Sequence, residues 1–300
     1  MKAPPLTIVT PTYNRAALLE KCYRSLADQD CFSFEWVVID DGSTDDTKAV
    51  VSGILAKESR FEIIYVYKEN GGKHTALNAS HPYIHGKYVL ILDSDDTLTP
   101  DAVSICLEGW KCWETYKSVG VLVFQRGYAM DDPFCYVLDE NIPVDIMSYP
   151  RICIHSSDAC EVVRSELFRQ IPFPVFPGER FLSEGSFWGR LSFVCKCVYV
   201  NRVVYLCEYL EDGLTKSGRP LRIRNPLGGM DNANVYMAKK NRFKLRVKNG
   251  LLYTAYGFFA KKSPSRMSRE CDHKAMMRLC LPFGWLLYRN WKRKWMRPNK

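Results

Sequence analysis

With 300 residues, 47% of them hydrophobic and 25% charged, the chain can bury a core without disulfide staples, which excludes a disordered, collagen-like or coiled-coil protein. Its net charge of +9 is unevenly spread: residues 216–300 hold 22 Lys and Arg against 3 Asp and Glu, and the remainder holds 20 against 30. An acidic body with a basic tail predicts two regions with different tasks, 1–215 and 216–300.

Leu6–Thr10 (LTIVT) reads as a β-branched strand stopped by Pro11, and Ala16, Leu19, Tyr23 and Leu26 recur at helical spacing. Phe34–Asp40 (FEWVVID) is a second strand, followed by a helical pattern over Asp45–Ala56. Phe61–Tyr67 and Tyr88–Leu92 are the third and fourth strands. Pro100 opens a helix over Asp101–Tyr116, and Gly120–Phe124 is a fifth strand. Strands that are apolar throughout and separated by helices predict an α/β fold with a mainly parallel sheet covered on both faces. Between Gly127 and Val163 the pattern weakens to loops and short strands. Glu184–Phe193 reads as helix, Cys195–Cys207 as a hairpin around Asn201–Arg202, and the basic tail as mostly helical.

Twelve cysteines are scattered from Cys22 to Cys280 without a CxxC pair, so they read as reduced core residues rather than a zinc or disulfide framework. No apolar run approaches the ~18 residues of a membrane span, and Met1–Thr7 lacks a signal-peptide pattern. The expectation is a cytoplasmic protein whose membrane contact, if any, is made at a surface.

Ligands of such sheets bind beyond the carboxyl ends of the strands, and the unusual residues cluster there. Asp93-Ser94-Asp95-Asp96 places three carboxylates within four residues after a buried strand, where they repel one another unless a cation compensates them. Hard divalent cations such as Mg²⁺ or Mn²⁺ take such oxygen ligands together with substrate phosphates. Asp40-Asp41-Gly42-Ser43-Thr44-Asp45 follows another buried strand. Gly42 suits a turn and Ser43, Thr44 and Asp45 suit helix capping, leaving Asp40 and Asp41 for a base N–H or a ribose hydroxyl. Asn70-Gly71-Gly72-Lys73-His74 offers a glycine turn beside a lysine. It is not a Walker loop, which would need glycine at Tyr67 and Ser or Thr at His74.

Together with Thr10-Pro11-Thr12-Tyr13-Asn14-Arg15, these clusters resemble a family 2 inverting glycosyltransferase of GT-A fold. TIVTPTYNR, VVIDDGSTD, NGGKHTALN and LILDSDD occur in that family's order and spacing over about residues 6–125. The resemblance implies that Thr10, Pro11, Thr12 and Tyr13, with Asn14 and Arg15 beside them, lie along the nucleotide of a UDP-sugar donor. It implies that Asp41 holds the uracil ring, and that Asn70, Gly72 and Lys73 approach the nucleotide and sugar. Asp93, Ser94, Asp95 and Asp96 match the signature carboxylate run, with Asp95 and Asp96 toward the metal and diphosphate and Asp93 supporting or nearer the sugar. In Ser183-Glu184-Gly185-Ser186-Phe187-Trp188-Gly189-Arg190-Leu191, Glu184 falls where the family usually has its catalytic aspartate. Ser183 departs from the preceding acid. Phe187 and Trp188 fall on the acceptor side.

The implied reaction is a single displacement in which an acceptor hydroxyl of a glycan or lipid-linked molecule loses its proton to Glu184. A divalent cation stabilises the leaving diphosphate. Arg126–Arg180, with His155, Asp158 and Phe176–Arg180, is expected to shape the donor and acceptor pockets, and Asp212 with Arg219–Arg224 to form a mobile closing loop. A sugar-nucleotidyl transferase would need a Gly/Arg/Lys-rich loop after the first strand, where one arginine and no glycine stand. A nucleic-acid module would need a motif the tail lacks, so no nucleic-acid partner is expected. Phe283–Tyr288 followed by Arg289, Trp291, Lys292, Arg293, Lys294, Trp295 and Arg297 combines aromatic anchors with cations, as segments on anionic membrane surfaces do.

Overall fold

The computed structural model describes residues 3–146, 151–207 and 214–296. The chain begins with β1 (Leu6–Thr12), α1 (Ala16–Ala27), β2 (Phe34–Asp40), α2 (Thr47–Leu55), β3 (Glu62–Tyr67), α3 (Lys73–Ala79) and β4 (Tyr88–Ile91). Every residue of β1, β2 and β4 is buried, because their unbroken apolar runs are covered on both sides. The four strands are parallel in the order β3-β2-β1-β4. The chain steps outward from β1 to β3 and returns on the other side of β1, which puts the topological switch point between β1 and β4.

Strand β1 runs through Pro11 instead of stopping there. Val9 O accepts Leu92 N–H on the β4 side at 2.9 Å, whereas Thr12 O accepts Asp41 N–H on the β2 side at 2.8 Å. By alternation Pro11 faces β4, whose pairing with β1 ends at Val9–Ile91. The missing N–H of Pro11 therefore interrupts no ladder bond.

Next come β5 (Thr97–Leu98), α4 (Ala102–Trp113) and β6 (Val119–Ala129), then the two-residue strands β7 (Asp132–Pro133), β8 (Cys135–Tyr136), β9 (Pro143–Val144) and β10 (Ile152–Cys153). After them follow β11 (Ala159–Arg164), α5 (Ser165–Gln170), α6 (Gly185–Leu191) and β12 (Lys196–Leu206). The far half of the sheet is mixed: β11 inserts antiparallel between β4 and β6, and β6 pairs in parallel with β12. In place of the expected hairpin across Cys195–Cys207 stands the single strand β12, with register shifts against β6 between Tyr199 and Val203. Asn201, read as a turn residue, donates from Nδ2 to Val137 O at 2.8 Å and accepts Val137 N–H through Oδ1 at 3.0 Å. Its side chain satisfies a neighbouring segment, and the irregularity is absorbed as a bulge.

Glu35 is fully buried near the start of β2. Its carboxylate accepts the Thr7 hydroxyl at 2.5 Å and the His85 and Gly86 N–H groups at 2.7 and 3.2 Å. Glu35→Ala should cost about 3 kcal/mol of stability, because the Thr7 hydroxyl and the His85 N–H lose their acceptor and the Gly86 N–H is left with Thr7 Oγ1 alone. Denaturant unfolding checks this, and a loss under about 1 kcal/mol would show that water replaces the carboxylate.

By contact density the chain forms two units, residues 1–172 with 194–208 and residues 173–193 with 209–300. The segment 173–193, which the charge division left with the first region, thus belongs with the C-terminal helices. Those helices are α7 (Leu214–Arg224), α8 (Pro226–Tyr236), α9 (Phe243–Phe259), α10 (Pro264–Glu270) and α11 (Lys274–Trp295). Met230, Met237, Tyr253, Tyr256, Met277 and Cys280 build their core. Helices α9 and α11 pack closely enough that a Cβ on Gly284 would lie 1.7 Å from Thr254 Oγ1, so glycine is required there. None of the described helices is long and apolar enough to cross a membrane. Most described cysteines are buried, Cys112 and Cys153 being exposed.

Candidate active site

Three loops meet at the carboxyl edge of β1, β2 and β3. Asn14 has a left-handed backbone (φ 51°), a conformation asparagine tolerates. It ties the first two loops together: its N–H donates to Ser43 Oγ at 2.9 Å and its Oδ1 accepts Thr44 N–H at 2.8 Å. Asp45 adds a bond from Ala16 N–H at 3.1 Å, capping α1 from the neighbouring loop. Gly42 has φ 86°, and a Cβ there would lie 2.8 Å from Asn70 N. Asp40 is not spare, as its sequence position suggested. Its Oδ1 accepts Ser43 N–H at 2.7 Å and its Oδ2 accepts the Tyr65 hydroxyl at 2.7 Å.

Asp41 works on the third loop. Its two oxygens accept Gly71 N–H at 3.0 Å and Gly72 N–H at 2.6 Å, and Lys68 Nζ approaches at 2.6 Å. Asn70 Nδ2 donates to Asp41 O at 2.8 Å. The glycine segment is thereby a formed turn that opens α3, with Gly72 at φ 94° and Lys73 as the first helical residue. Lys73 reaches across to pair with Asp93 beyond β4.

Of the β1 residues, Thr10 is fully buried and its hydroxyl accepts Trp36 Nε1–H at 2.9 Å, so it supports the sheet rather than facing a ligand. Pro11 is buried as well. Thr12 Oγ1 is buried with no hydrogen-bond partner among the described residues, as is His74 Nδ1. Tyr13 is 46% exposed, leaving its ring face open for stacking at the site's rim. Arg15 adds positive charge toward Asp95.

Asp93, Ser94, Asp95 and Asp96 flank the switch point, and each carboxylate has a different environment. Burial pushes Asp93 up, but Lys73 and Arg126 outweigh it and hold the group below the ordinary carboxylate value. Asp96 is pushed up to about 7, first by burial and then by Asp93. It turns inward, with Oδ2 accepting the Tyr205 hydroxyl at 2.8 Å and Arg126 Nη1 3.8 Å away. Tyr205 also accepts Asp93 N–H at 3.0 Å, and the Arg126 guanidinium stacks 4.0 Å from its ring centroid. Asp95 is half-buried and raised by burial and by Asp93, against the smaller pull of Arg15 and Lys73. Ser94 is buried between them.

This donor set fits a hard divalent cation held partly by protein oxygens and completed by phosphate and water. Two of its carboxylates are raised, first by burial and then by the charge of Asp93, and a cation would favour their ionised forms. Among the described residues no group of three or more His, Cys, Asp or Glu side chains is arranged to hold a metal ion by itself. Of the two raised carboxylates, Asp95 is the more accessible and Asp96 the more deeply buried.

The second unit contains Glu184 at the N-cap of α6, where Glu184 O accepts Phe187 N–H at 2.9 Å and Trp188 N–H at 3.1 Å. Glu184 is half-buried, Phe187 buried against Phe173, and Trp188 half-buried. Arg190 fixes this helix to α8 through Asp231, donating from Nη2 to Oδ1 at 2.6 Å and from Nη1 to Oδ2 at 3.0 Å. Glu179 caps α8 by accepting Leu227 and Gly228 N–H at 2.7 and 2.8 Å, so it organises the fold rather than a pocket. His155 pairs with Asp132 at 2.9 Å. The expected closing loop is instead helix α7, kinked at Gly218, with Arg219 donating to the Tyr256 hydroxyl at 2.6 Å. Asp212 lies outside the described residues.

Tyr205, Lys68 and Asp231 were not among the candidate residues, and Arg126 entered only as the first residue of the broad region 126–180. Each sits in a strand, loop or helix without a local motif and reaches its partner only through the fold. Only Arg126 carries a retrievable signal, as a charged residue ending the buried apolar run of β6.

Residues 7–131 match the profile of the family described as Glycosyl transferase family 2. The hyaluronan synthase of Pasteurella multocida is 37% identical over 107 residues, which is 36% of this chain and 11% of that protein. The GalNAc(5)-diNAcBac-PP-undecaprenol beta-1,3-glucosyltransferase of Campylobacter jejuni is 36% identical over 120 residues, covering 39% of this chain and 37% of that protein. The chain thus spans well under half the length of these curated relatives. The structure of S. aureus TarS 1-349 in complex with UDP-GlcNAc has a TM-score of 0.65 at 18% identity, over 96% of this chain and 91% of that one. Mannosyltransferase PcManGT from Pyrobaculum calidifontis in complex with GDP-Man and Mn2+ has a TM-score of 0.58 at 18% identity, over 97% and 83%. The fold is GT-A.

Proposed function

Residues 7–131 are a glycosyltransferase family 2 domain, and from that premise we propose that the chain moves a sugar from a UDP-sugar to a hydroxyl of a glycan or lipid-linked acceptor, with inversion. The observation that carries this reading is the carboxylate cluster at the switch point, with Asp95 and Asp96 raised first by burial and then by the neighbouring charge of Asp93. A bound Mn²⁺ or Mg²⁺ at Asp95 and Asp96 would supply charge stabilisation to the leaving diphosphate. Tyr13 stacks on the base, and Asn14 and Arg15 line the nucleotide. Asp41 shapes the Asn70–Gly72 turn and turns its remaining acceptor capacity toward the uracil. Lys73 and Asp93 face the diphosphate and sugar. Glu184 takes the proton of the acceptor hydroxyl as that oxygen bonds to the anomeric carbon and the bond to the diphosphate breaks. Phe187 and Trp188 position the acceptor side. The named acceptor of the Campylobacter relative is attached to undecaprenol diphosphate, which supports a lipid-linked acceptor; the placement proposed with it is cytoplasmic, peripheral on an anionic membrane.

Calorimetric titration of uridine diphosphate with and without Mn²⁺ tests the reading. Binding at micromolar to millimolar concentration that strengthens with the cation is expected, and no binding under either condition would defeat it. Tyr205→Phe removes the hydroxyl bonded to Asp96 and Asp93 while keeping the ring under Arg126. It should weaken metal-dependent binding about tenfold without changing the circular-dichroism spectrum. Unchanged affinity would make Tyr205 a packing residue only.

A further inference from the structure

Helix α11 has 22 residues, with six Lys and Arg and no Asp or Glu. One side is anchored: Met276, Met277, Cys280 and Gly284 are buried, and Trp291 packs against the same core. Beside that anchored side the helix presents Leu279, Phe283 and Leu286, which are 60%, 61% and 57% exposed. Spacings of four and three residues place these three on one face. Exposed Arg278 and Arg289 flank that stripe, and exposed Arg293 continues it toward the C-terminus. Trp285 is 41% exposed and stacked under Arg289 with the guanidinium 4.9 Å from its ring. Three large apolar side chains on solvent, within a helix bearing only positive charge, are unlike an ordinary solvated face, which would be polar.

We propose that this face of α11 is a docking surface for an anionic lipid bilayer, with Leu279, Phe283 and Leu286 entering the headgroup boundary and Arg278, Arg289 and Arg293 meeting lipid phosphates. The proposal deepens the peripheral placement given above by naming the surface. Charge complementarity selects the occupant. A second copy of this chain would bring the same cations against one another, whereas an anionic bilayer satisfies stripe and cations together. Because its other side is fixed in the helical core, α11 presents this face without first folding on the lipid. Arg297, which the sequence reading included, lies outside the described residues.

Co-sedimentation of the full chain with vesicles of equal parts phosphatidylglycerol and phosphatidylcholine tests the assignment. Binding at low ionic strength, weakened by added salt and lost on pure phosphatidylcholine, is expected. Phe283→Ser with Leu286→Ser, both exposed positions, should lower vesicle partitioning at least tenfold. Arg278→Gln with Arg289→Gln and Arg293→Gln should do the same and flatten the salt dependence. Titration with uridine diphosphate should be unchanged in both sets, so failure of the nucleotide reading would register separately. Vesicle binding equal to the unaltered chain in both sets would overturn the proposal. So would an unaltered chain that ignores anionic vesicles, or one that binds duplex DNA in their place.

Discussion

Asp95→Asn should abolish the metal-dependent part of uridine diphosphate binding and slow sugar transfer about a thousandfold, while the protein still folds. The three acids of the cluster are not equivalent. Asp93 is paired with Lys73 and supported by Arg126, and Asp96 is turned inward to Tyr205. At Asp95, burial and the charge of Asp93 outweigh Arg15 and Lys73, and its side chain, unlike that of buried Asp96, is only half-buried. Asparagine keeps the shape and removes the charge, and losing a several-kcal/mol stabilisation of the leaving diphosphate corresponds to about three decades in rate. Nucleotide release in a donor screen, beside titration with and without Mn²⁺, measures both effects. Metal-dependent affinity within twofold of the unaltered protein would move the cation to another acid.

Glu184→Gln should leave uridine diphosphate affinity within about twofold and lower transfer by ~10²–10⁴, the usual range for loss of a positioned base. The helix that carries it is well held: its first turn is closed on Glu184 O, and Arg190 bridges to Asp231 with two bonds. Glutamine preserves the side-chain length and the main-chain cap, so a drop in rate would report on the carboxylate. A matching collapse in donor affinity would make Glu184 a binding or structural residue. Asp231→Asn adds a control, because it weakens the support of α6 and leaves Glu184 itself intact.

The sheet was legible wherever burial on both faces forces continuous apolar runs, as in β1, β2 and β4. The loops after them were legible because acids and glycines gather at the strand ends, although Asp40 and Asp45 there serve the loops' own geometry. Other features depended on partners distant in sequence. Pro11 broke the strand by local rules, yet the neighbour that would have needed its N–H ends two residues earlier. Asn201-Arg202 had turn chemistry, but Val137 offered the asparagine a better use. Strand β11 looked like part of an irregular stretch, and its place between β4 and β6 is set by pairing that no local periodicity encodes. Thr10 matched a family motif and is spent on Trp36, whereas Arg126 and Tyr205 matched none and reach the carboxylates from 30 and 109 residues away. Motif matching found the loops that touch solvent. It could not distinguish a motif residue that faces a ligand from one that faces the core.

The way segment 173–193 joins the C-terminal helices has a consequence for recombination. The excursion leaves after α5, carries α6 and rejoins the sheet at β12, yet its polar ties run to α8 through Arg190–Asp231 and Glu179. A crossover near residue 215 that imported foreign C-terminal helices would strand Arg190 without its acid and leave Glu179 facing an unmatched helix end. A hybrid that keeps its fold must therefore exchange both pieces, and the carboxylate at 184 is then inherited with the basic helix of the same donor parent.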